Sequence, residues 1–385
     1  MPSNPNTATI QSILHSTPFE NCNTHTRNVF SQLQKCRTPA LGYHFYQCKE
    51  EACKGLKYVY HSCRNRHCPS CGSSQQSQWI DDRRTELLPI NYYHVVFTLP
   101  HELHSIILGN RTMLFKLLFD ASSKTLLQFG ADKKYLGAVP GIISVLHTWG
   151  QQLSFHPHIH CIVSGGGISV DRHNQSISWK KGIRNQDGFL FPVKAMAQVY
   201  KAIFIKGVRT LIDQDKIKIQ DKKDVRIMLQ KIYKKDWVVY AKKPFAGPLQ
   251  VIEYLGRYTH KVAISNQRIV SDHGDSVTIR YTDYADKNKS KTMTLAKQEF
   301  IRRFEQHILP KHFTKIRTTG YLANRGRTAR IKAICALLHI PPPPPKIRIS
   351  WQLRLLEQFK IVFNECPCCK KNSLQLIAVT FNDDS

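Results

Sequence analysis

The stretch "SFHPHIHCIVSGGG" (residues 154–167) places three histidines, His156, His158 and His160, at alternating positions of an apolar run. Side chains of a β-strand alternate between its two faces, so these imidazoles share one face and the residues between them share the other. Two such histidines lie roughly 6.6 Å apart along a strand, close enough for both rings to bind one divalent metal ion. The alternative is that all three are structural residues of a strand.

A metal ion held by two histidines needs a further ligand from elsewhere in the chain. The preceding stretch "HTWGQQLSF" supplies Gln151 and Gln152, and an amide oxygen would complete a mixed ligand set that suits Mg²⁺ or Mn²⁺. Gln151, seven residues before His158, is the predicted third ligand.

Two tyrosines that could act as nucleophiles occur in "VIEYLGRYTHKVAISN", where Tyr254 and Tyr258 are four residues apart and share one face of a predicted helix. Lys261 follows three residues later on the same side. A phenol with a pKa near 10 is a weak nucleophile, but it can attack phosphorus when a metal polarises the phosphate and a lysine stabilises the developing charge. The alternative is that both tyrosines only pack against the core.

Residues 36–71 contain a dense set of metal-binding side chains with little apolar periodicity. Eight ligands are enough for two tetrahedral zinc sites. The C-x2-C pair and the C-x4-C pair predict a zinc-ribbon-like first site, formed by Cys48, Cys53, Cys68 and Cys71. The predicted second site is formed by Cys36, His44, Cys63 and His67.

The sequence does not exclude an exchange of partners between these two sites, nor that some of the cysteines are small buried apolar residues. Arg64 and Arg66 lie between the ligands, where a metal-held loop would present them to phosphate, although solvated charge explains them equally well. Near the end of the chain, "CPCC" contributes Cys366, Cys368 and Cys369 with no obvious second pair beyond it, so a third zinc, buried thiols and dimer-bridging thiols all stay open.

The composition indicates a folded protein that binds a polyanion. The chain has 385 residues, 42% of them hydrophobic, and a formal net charge of +29. Such a surplus favours nucleic acid as the partner. No apolar stretch approaches the length of a membrane-spanning helix, and the first residues lack a signal-peptide pattern, so we expect a soluble cytosolic protein with reduced cysteines.

Alternating strand and helix patterns predict an α+β fold. Strands are expected at 91–99, in "GIISVLHTWG", in "HPHIHCIVSGGG" and in "WVVYAKK", and a hairpin at 263–284. Helices are expected at 101–129 and 194–235, and Gly165–Gly167 are expected to let the chain turn away from the site. The predicted division is a helical lead-in (1–35), a zinc-binding module (36–75), a catalytic domain (90–330), and a proline spacer with a basic helix and cysteine tail (331–385).

The motifs "HPHIH" and "YLGRY" together resemble those of the HUH endonucleases with two tyrosines. With "SCRNRHCPSCG" before "YYHVVFTLPHEL", and "IRTTGYLANRGR" at 316–327, the chain resembles the insertion-sequence-91 family of transposases over most of its length. The resemblance implies a central antiparallel sheet flanked by helices, with the tyrosine helix beside the histidines. It ranks His158 and His160 as the metal pair and leaves His156 as a neighbour.

The resemblance also implies a reaction. One tyrosine attacks a scissile phosphate of single-stranded DNA at a transposon end or target, which gives a 5′-phosphotyrosine and a free 3′-hydroxyl, and the second tyrosine serves a second cleavage. The catalytic metal would be Mg²⁺ or Mn²⁺, beside the structural zinc ions. Besides the two arginines of the cysteine module, the residues expected to contact DNA are Trp149, His156 and Arg257.

Two other functions fit parts of the sequence. A rolling-circle replication initiator or relaxase would use the same HUH chemistry, whereas a non-catalytic zinc-dependent DNA-binding regulator would keep the histidines and tyrosines as structural residues. The sequence does not decide the order in which the tyrosines act, the DNA sequences recognised or the oligomeric state.

Overall fold

The computed structural model describes residues 8–171, 173, 176–182, 190–242, 250–251, 254, 256, 262–345 and 349–381. Within these residues the helices are α1 (Ile10–Ser16), α2 (Thr24–Gln34), α3 (Gly72–Arg84), α4 (His104–Gly109), α5 (Arg111–Ala131), α6 (Val193–Asp213), α7 (Lys222–Lys234), α8 (Lys297–Glu305), α9 (Arg327–Leu337) and α10 (Trp351–Phe359). None of them is long and apolar enough to span a bilayer.

The strands are β1 (Tyr43–Cys48), β2 (Leu56–Tyr60), β3 (Tyr92–Thr98), β4 (Val139–Trp149), β5 (Phe155–Val170), β6 (Ile177–Lys181), β7 (Val239–Lys242), β8 (Ile269–His273), β9 (Ser276–Asp283), β10 (Lys289–Ala296), β11 (Ile316–Gly320) and β12 (Leu374–Thr380). All of their pairings are antiparallel. The predicted α+β class, with a central antiparallel sheet flanked by helices, is confirmed.

The central sheet has the order β11-β4-β5-β3-β7, and β6 pairs with β5 outside this path. One face is uniformly apolar, with Val95, Phe97, Ile159 and Cys161 all buried in the largest core cluster. The long helices α5 and α6 contribute the other side of this core. Burial of this face fixes the alternation of β5, so that its histidines point to the opposite face, as predicted.

The second face of the central sheet carries both apolar and polar residues. Ile143, Val145 and Ile162 form a smaller core with Tyr321 and with Val251. In the register between β4 and β5, Ile143 lies opposite Ile162 and Val145 opposite His160. The histidines therefore extend a row of side chains that begins in a packed core.

The N-terminal helices pack on the region that follows the tyrosine stretch. Phe30 of α2 stacks on Phe304 of α8, with ring centroids 5.6 Å apart. The cluster also includes Ile10 from α1 and Val277 and Ile279 from the predicted hairpin, which forms as β8 and β9. The helical lead-in is thus part of a core built with residues more than 200 positions away.

The end of the chain packs on the cysteine module. Strand β12, which the sequence analysis missed, pairs with β1 and completes a three-stranded sheet in the order β12-β1-β2. In α10, Arg354 forms an ion pair with Asp81 of α3, with an N–O distance of 2.7 Å. The terminal segment therefore lies against the residues that precede the central sheet.

The glycines of "SGGG" do not turn the chain away from the site, contrary to the prediction. They lie inside β5, which continues to Val170. A Cβ at Gly167 would lie 2.6 Å from the carbonyl oxygen of Val139, and a Cβ at Gly166 would lie 2.4 Å from the ring of Trp179. Close approach of neighbouring strands, not a turn, explains the run of glycines.

We expect Gly167→Ala to lower the free energy of unfolding by about 1–3 kcal/mol, because the clash is with backbone of β4 that cannot rotate away. Urea denaturation followed by circular dichroism measures the change. Gly109→Ala is the control, because a Cβ at this exposed helical glycine meets no atom within 4 Å. Equal stabilities of the two variants would contradict this account of the glycine run.

Candidate active site and cysteine clusters

Three histidines from two adjacent strands meet on the second face of the central sheet. His158 and His160 lie on β5, and His147 of β4 is directly opposite His158 in the register. One ring nitrogen from each of the three lies within 4.8 Å of the others. The Nε2 atoms of His158 and His160 are 3.1 Å apart. Two imidazole nitrogens that bind one ion through bonds of about 2.0–2.1 Å are separated by roughly 3.0–3.4 Å, so the observed distance fits.

Hydrogen bonds to the opposite ring nitrogens orient two of these imidazoles. Nδ1 of His158 donates to the carbonyl oxygen of His156 at 2.6 Å, and Nδ1 of His160 lies 2.9 Å from Nε2 of His94. When both Nδ1 atoms carry the proton, the two Nε2 lone pairs face each other. A cation between them removes that repulsion, so the donor set fits a bound metal ion.

Burial favours the neutral form of His158 and His94. It lowers the pKa of His158 to about 4. Burial and the nearby charge of Lys242 lower the pKa of His94 to about 3. A neutral imidazole is the form that binds a metal ion, so His158 is in its ligand-competent form at neutral pH.

Gln151 does not join this cluster. Its side-chain nitrogen donates to the hydroxyl of Tyr284 at 2.8 Å, so its amide lies against the β9–β10 region. His147 takes the position that the prediction gave to Gln151, because strand pairing places it opposite His158 whereas Gln151 lies in the turn between β4 and β5. The observed set is three nitrogens, which suits Mn²⁺ and other transition metals better than oxygen-preferring Mg²⁺.

Tyr254 lies next to the histidine cluster. Its hydroxyl is 3.3 Å from Nδ1 of His94, and the two rings meet edge to face with centroids 4.8 Å apart. His94 thus contacts both Tyr254 and the candidate metal ligand His160. The other residues predicted for this helix, Tyr258, Lys261 and Arg257, lie outside the described residues.

His94 and His147 were not among the predicted site residues. They lie in the mainly apolar stretches "YYHVVF" and "ISVLHTW", and each is almost fully buried. A buried polar side chain needs a partner. A search for lone histidines in apolar strands would therefore have found both.

Cys36, Cys63, Cys68 and Cys71 form one compact cluster. Sγ of Cys36 lies 3.5 Å from that of Cys71 and 3.6 Å from that of Cys68, and Sγ of Cys63 lies 3.7 Å from that of Cys71. Four sulfurs about 2.3 Å from a tetrahedral zinc ion are about 3.8 Å apart. The cluster therefore has the geometry of a zinc site with four cysteine ligands.

This grouping corrects the predicted division of ligands. Cys68 and Cys71 join Cys36 and Cys63, whereas Cys48 and Cys53 lie with Cys366 and Cys369 in a second cluster. The partners differ from the predicted ones because β1 and β2 place the C-x4-C pair at the far end of the module, beside the terminal segment.

Neither predicted histidine ligand reaches the cysteines. Nδ1 of His44, on strand β1, lies 3.1 Å from Nε2 of His61. Nε2 of His67 accepts a hydrogen bond from the backbone of Leu309 at 3.3 Å. Both rings have partners elsewhere, so the two clusters contain only thiols.

The predicted DNA-contacting residues have different surroundings. Trp149 stacks on His147, with ring centroids 4.7 Å apart, and the ammonium of Lys315 lies 5.0 Å from its ring. Arg66 donates to the carbonyl oxygens of Pro310 and Phe313 and so connects the cysteine module to the segment before β11. These bonds give Arg66 a structural contact.

Two further residues from the predicted DNA-contacting set lie near the clusters. Arg64 is exposed and has a positive φ of 51° in the turn between two cysteines of the first cluster. His156 lies beside His158, with ring centroids 5.2 Å apart. Both stay candidates for contact with a bound strand.

The chain matches two family models, one described as "Transposase zinc-binding domain" over residues 7–99 and one described as "Putative transposase" over residues 141–330. It is 38% identical to "Putative transposase y4qJ" of Sinorhizobium fredii over 366 residues, which are 92% of this chain and 90% of that protein. It is 29% identical to "Transposase for insertion sequence element IS801" of Pseudomonas savastanoi pv. phaseolicola over 321 residues, 82% of this chain and 75% of that protein. No solved structure matches the chain.

These matches span the cysteine module as well as the strands that carry the histidine cluster. Transposases of this kind cleave DNA and transfer strands. The chain therefore belongs to the insertion-sequence-91 family of transposases and has an N-terminal zinc-binding domain.

Proposed function

We propose that this transposase cleaves and joins single-stranded DNA through 5′-phosphotyrosine intermediates, in rolling-circle transposition of the HUH type. The observation that supports the proposal best is the position of Tyr254. Its hydroxyl contacts His94, which contacts the histidine cluster, so a nucleophile lies beside a candidate metal site.

The chemistry follows from this arrangement. A divalent ion held by His147, His158 and His160 would polarise the scissile phosphate and stabilise the charge that develops on it. The phenol of Tyr254 gives up its proton to solvent, its oxygen attacks phosphorus to form a new P–O bond on the 5′ side of the break, and the bond to the 3′ oxygen breaks. The 3′ oxygen takes up a proton and leaves as a hydroxyl, which can later attack a phosphotyrosine and rejoin the strand.

His94 is a positioning residue for both partners. When Nδ1 of His160 carries the proton, it donates a hydrogen bond to Nε2 of His94. The ring proton of neutral His94 then lies on its own Nδ1. The hydroxyl oxygen of Tyr254 lies 3.3 Å from Nδ1 and 3.5 Å from Nε2 of His94, so the proton on Nδ1 can stabilise negative charge on this oxygen. One imidazole thereby fixes a metal ligand and favours the reactive form of the nucleophile.

The second half of the machinery rests on the sequence motif. Tyr258 would perform the second cleavage that strand transfer needs, Lys261 would stabilise the charge on the reacting phosphate, and Arg257 would contact the strand. All three positions match the two-tyrosine motif "YLGRYTHK".

The DNA substrate is proposed from charge and exposure. A net charge of +29 favours binding of a phosphate backbone, and exposed Arg64 together with His156 lies near the clusters already described. Trp149 offers an aromatic ring next to His147 for stacking with an unpaired base. Such a protein would act in the cytoplasm of a prokaryotic cell, on transposon ends and target DNA.

Wild-type protein is expected to form a covalent adduct with single-stranded oligonucleotides that carry the two ends of its insertion element, in the presence of Mn²⁺ or Mg²⁺. Denaturing gel electrophoresis detects the adduct, and mass spectrometry locates the modified tyrosine. Tyr254→Phe with Tyr258→Phe should abolish it, because no phenol remains to attack phosphorus.

The control for this experiment is Tyr240→Phe, which removes the hydroxyl of an exposed tyrosine at the sheet edge. An adduct of equal yield in the double variant would refute the phosphotyrosine mechanism. The element ends presented only as blunt duplexes should react poorly, and equal reaction would refute the preference for single strands.

His147→Ala should weaken Mn²⁺ binding by at least about 100-fold, because it removes a direct ligand from a three-nitrogen set. Gln151→Ala should leave Mn²⁺ affinity unchanged within about threefold, since the Gln151 amide contacts Tyr284 instead. Isothermal titration with Mn²⁺ measures both affinities, and adduct formation gives a second readout. The reverse order of effects would restore Gln151 as the third ligand.

Substitutions of His94 should separate its two contacts. The amide of Gln reaches the place of Nε2, so His94→Gln should keep Mn²⁺ affinity but slow cleavage at saturating Mn²⁺ by about 10–100-fold. The amide of Asn reaches the place of Nδ1, so His94→Asn should lose affinity and keep more of the rate. If both variants match His94→Ala in affinity and in rate, His94 has only a packing role.

A further inference from the structure

A second group of four thiols joins two distant parts of the chain. Cys48 ends β1 and Cys53 lies in the following turn, whereas Cys366 and Cys369 lie in the turn before β12. Sγ of Cys48 is 3.7 Å from that of Cys369, and Sγ of Cys53 is 3.7 Å from that of Cys366. All four sulfurs lie within 4.8 Å of one another.

These distances indicate a metal site and not disulfides. A disulfide has an S–S bond of about 2.05 Å, whereas four sulfurs around a tetrahedral zinc ion are about 3.8 Å apart. Four thiolates are also the ligand set that favours zinc among the common divalent ions. The cluster matches the spacing of the first cluster, where the sulfur distances are 3.5–3.7 Å.

The surroundings of the thiols are shaped for a shared centre. Gly55 leaves the room that Cys366 occupies, since a Cβ at Gly55 would lie 2.5 Å from its sulfur. The backbone amide of Gly55 donates to the sulfur of Cys53, and that of Lys371 donates to the sulfur of Cys369. Amide donors stabilise thiolates, which are the metal-binding form.

The tail repeats the local motif of the first cluster. Cys68 and Cys71 enclose Pro69 and Ser70, and Cys366 and Cys369 enclose Pro367 and Cys368, so both pairs have the pattern C-P-x-C. The intervening Cys368 is exposed and is not one of the four clustered thiols. Each C-P-x-C pair thus contributes two of the four thiols of its own cluster.

Besides polar contacts such as the ion pair of Arg354 with Asp81, few apolar contacts hold the terminal segment in place. Of the seven residues of β12, only Leu374 is buried and the other six are exposed. A small apolar contact around Phe363, which meets Tyr46 with ring centroids 5.2 Å apart, adds to the backbone pairing with β1. A strand with so little buried apolar surface needs another source of stability.

We propose that Cys48, Cys53, Cys366 and Cys369 hold a second zinc ion, which fastens the C-terminal segment to the zinc-binding domain and fixes β12 as the third strand of its sheet. Half of the ligands of this ion then come from residues far beyond positions 7–99, the range matched by the family model of the zinc-binding domain. The site does not depend on the proposed cleavage chemistry, so either can fail without the other.

Metal content of purified full-length protein tests the proposal. Counts are made by plasma mass spectrometry in a background with His158→Ala and His160→Ala, which removes the imidazole cluster from the total. The starting protein should contain two zinc ions per chain and Cys366→Ser with Cys369→Ser should contain one. Cys368→Ser is the matched control and should contain two. A starting value of one, or two ions in the Cys366→Ser, Cys369→Ser variant, overturns the proposal.

Thiol alkylation of the wild-type chain gives an answer even if that variant fails to fold. With zinc bound, Cys368 should be alkylated while Cys48, Cys53, Cys366 and Cys369 are protected. A chelator should expose those four together. Alkylation of Cys366 and Cys369 that is the same with and without the chelator overturns the proposal.

Discussion

The pairing of β4 with β5 places His147 opposite His158, and the candidate active site depends on this register. Because side chains alternate along a strand, a slip of one residue would move His147 to the apolar face that packs on α5 and α6. The large core on that face makes such a slip costly. Packing on one side of the sheet therefore fixes the geometry of the histidine cluster on the other side.

The same sheet supplies the contact between the histidine cluster and Tyr254. His94 of β3 lies two residues from Val96, which is directly opposite His160. Nε2 of the His94 ring lies 2.9 Å from His160, and the hydroxyl of Tyr254 is closest to Nδ1. Three adjacent strands thus position the imidazoles, and the burial that lowers the pKa of His94 and His158 also keeps them in the neutral form.

The cysteine module follows a different physical logic. Its strands are short, with two buried residues in β1 and none in β2. The two four-thiol clusters lie at opposite ends of this poor core, one next to α2 and α3 and one next to the terminal segment. Metal coordination can supply stability that apolar burial does not, which explains why sulfur ligands are concentrated where hydrophobic residues are few.

Local patterns in the sequence determined much of this protein. The alternation of "HPHIH" was enough to predict a strand with its histidines on one face, and the density of cysteines was enough to predict metal binding. The hairpin at β8 and β9 and the helices of the lead-in also follow from short-range signals. The class of fold and the family motifs were therefore readable from residues that are close in sequence.

Only the tertiary structure decided which residues complete each site. Gln151 was a reasonable ligand by distance along the chain, yet strand pairing placed His147, and not Gln151, beside His158. Cys366 and Cys369 are more than 300 residues from Cys48 and Cys53, and no local pattern links them. Ligand geometry is a property of positions in space, and pairings between distant strands set those positions, so the sequence alone specified the ligand types but not their partners.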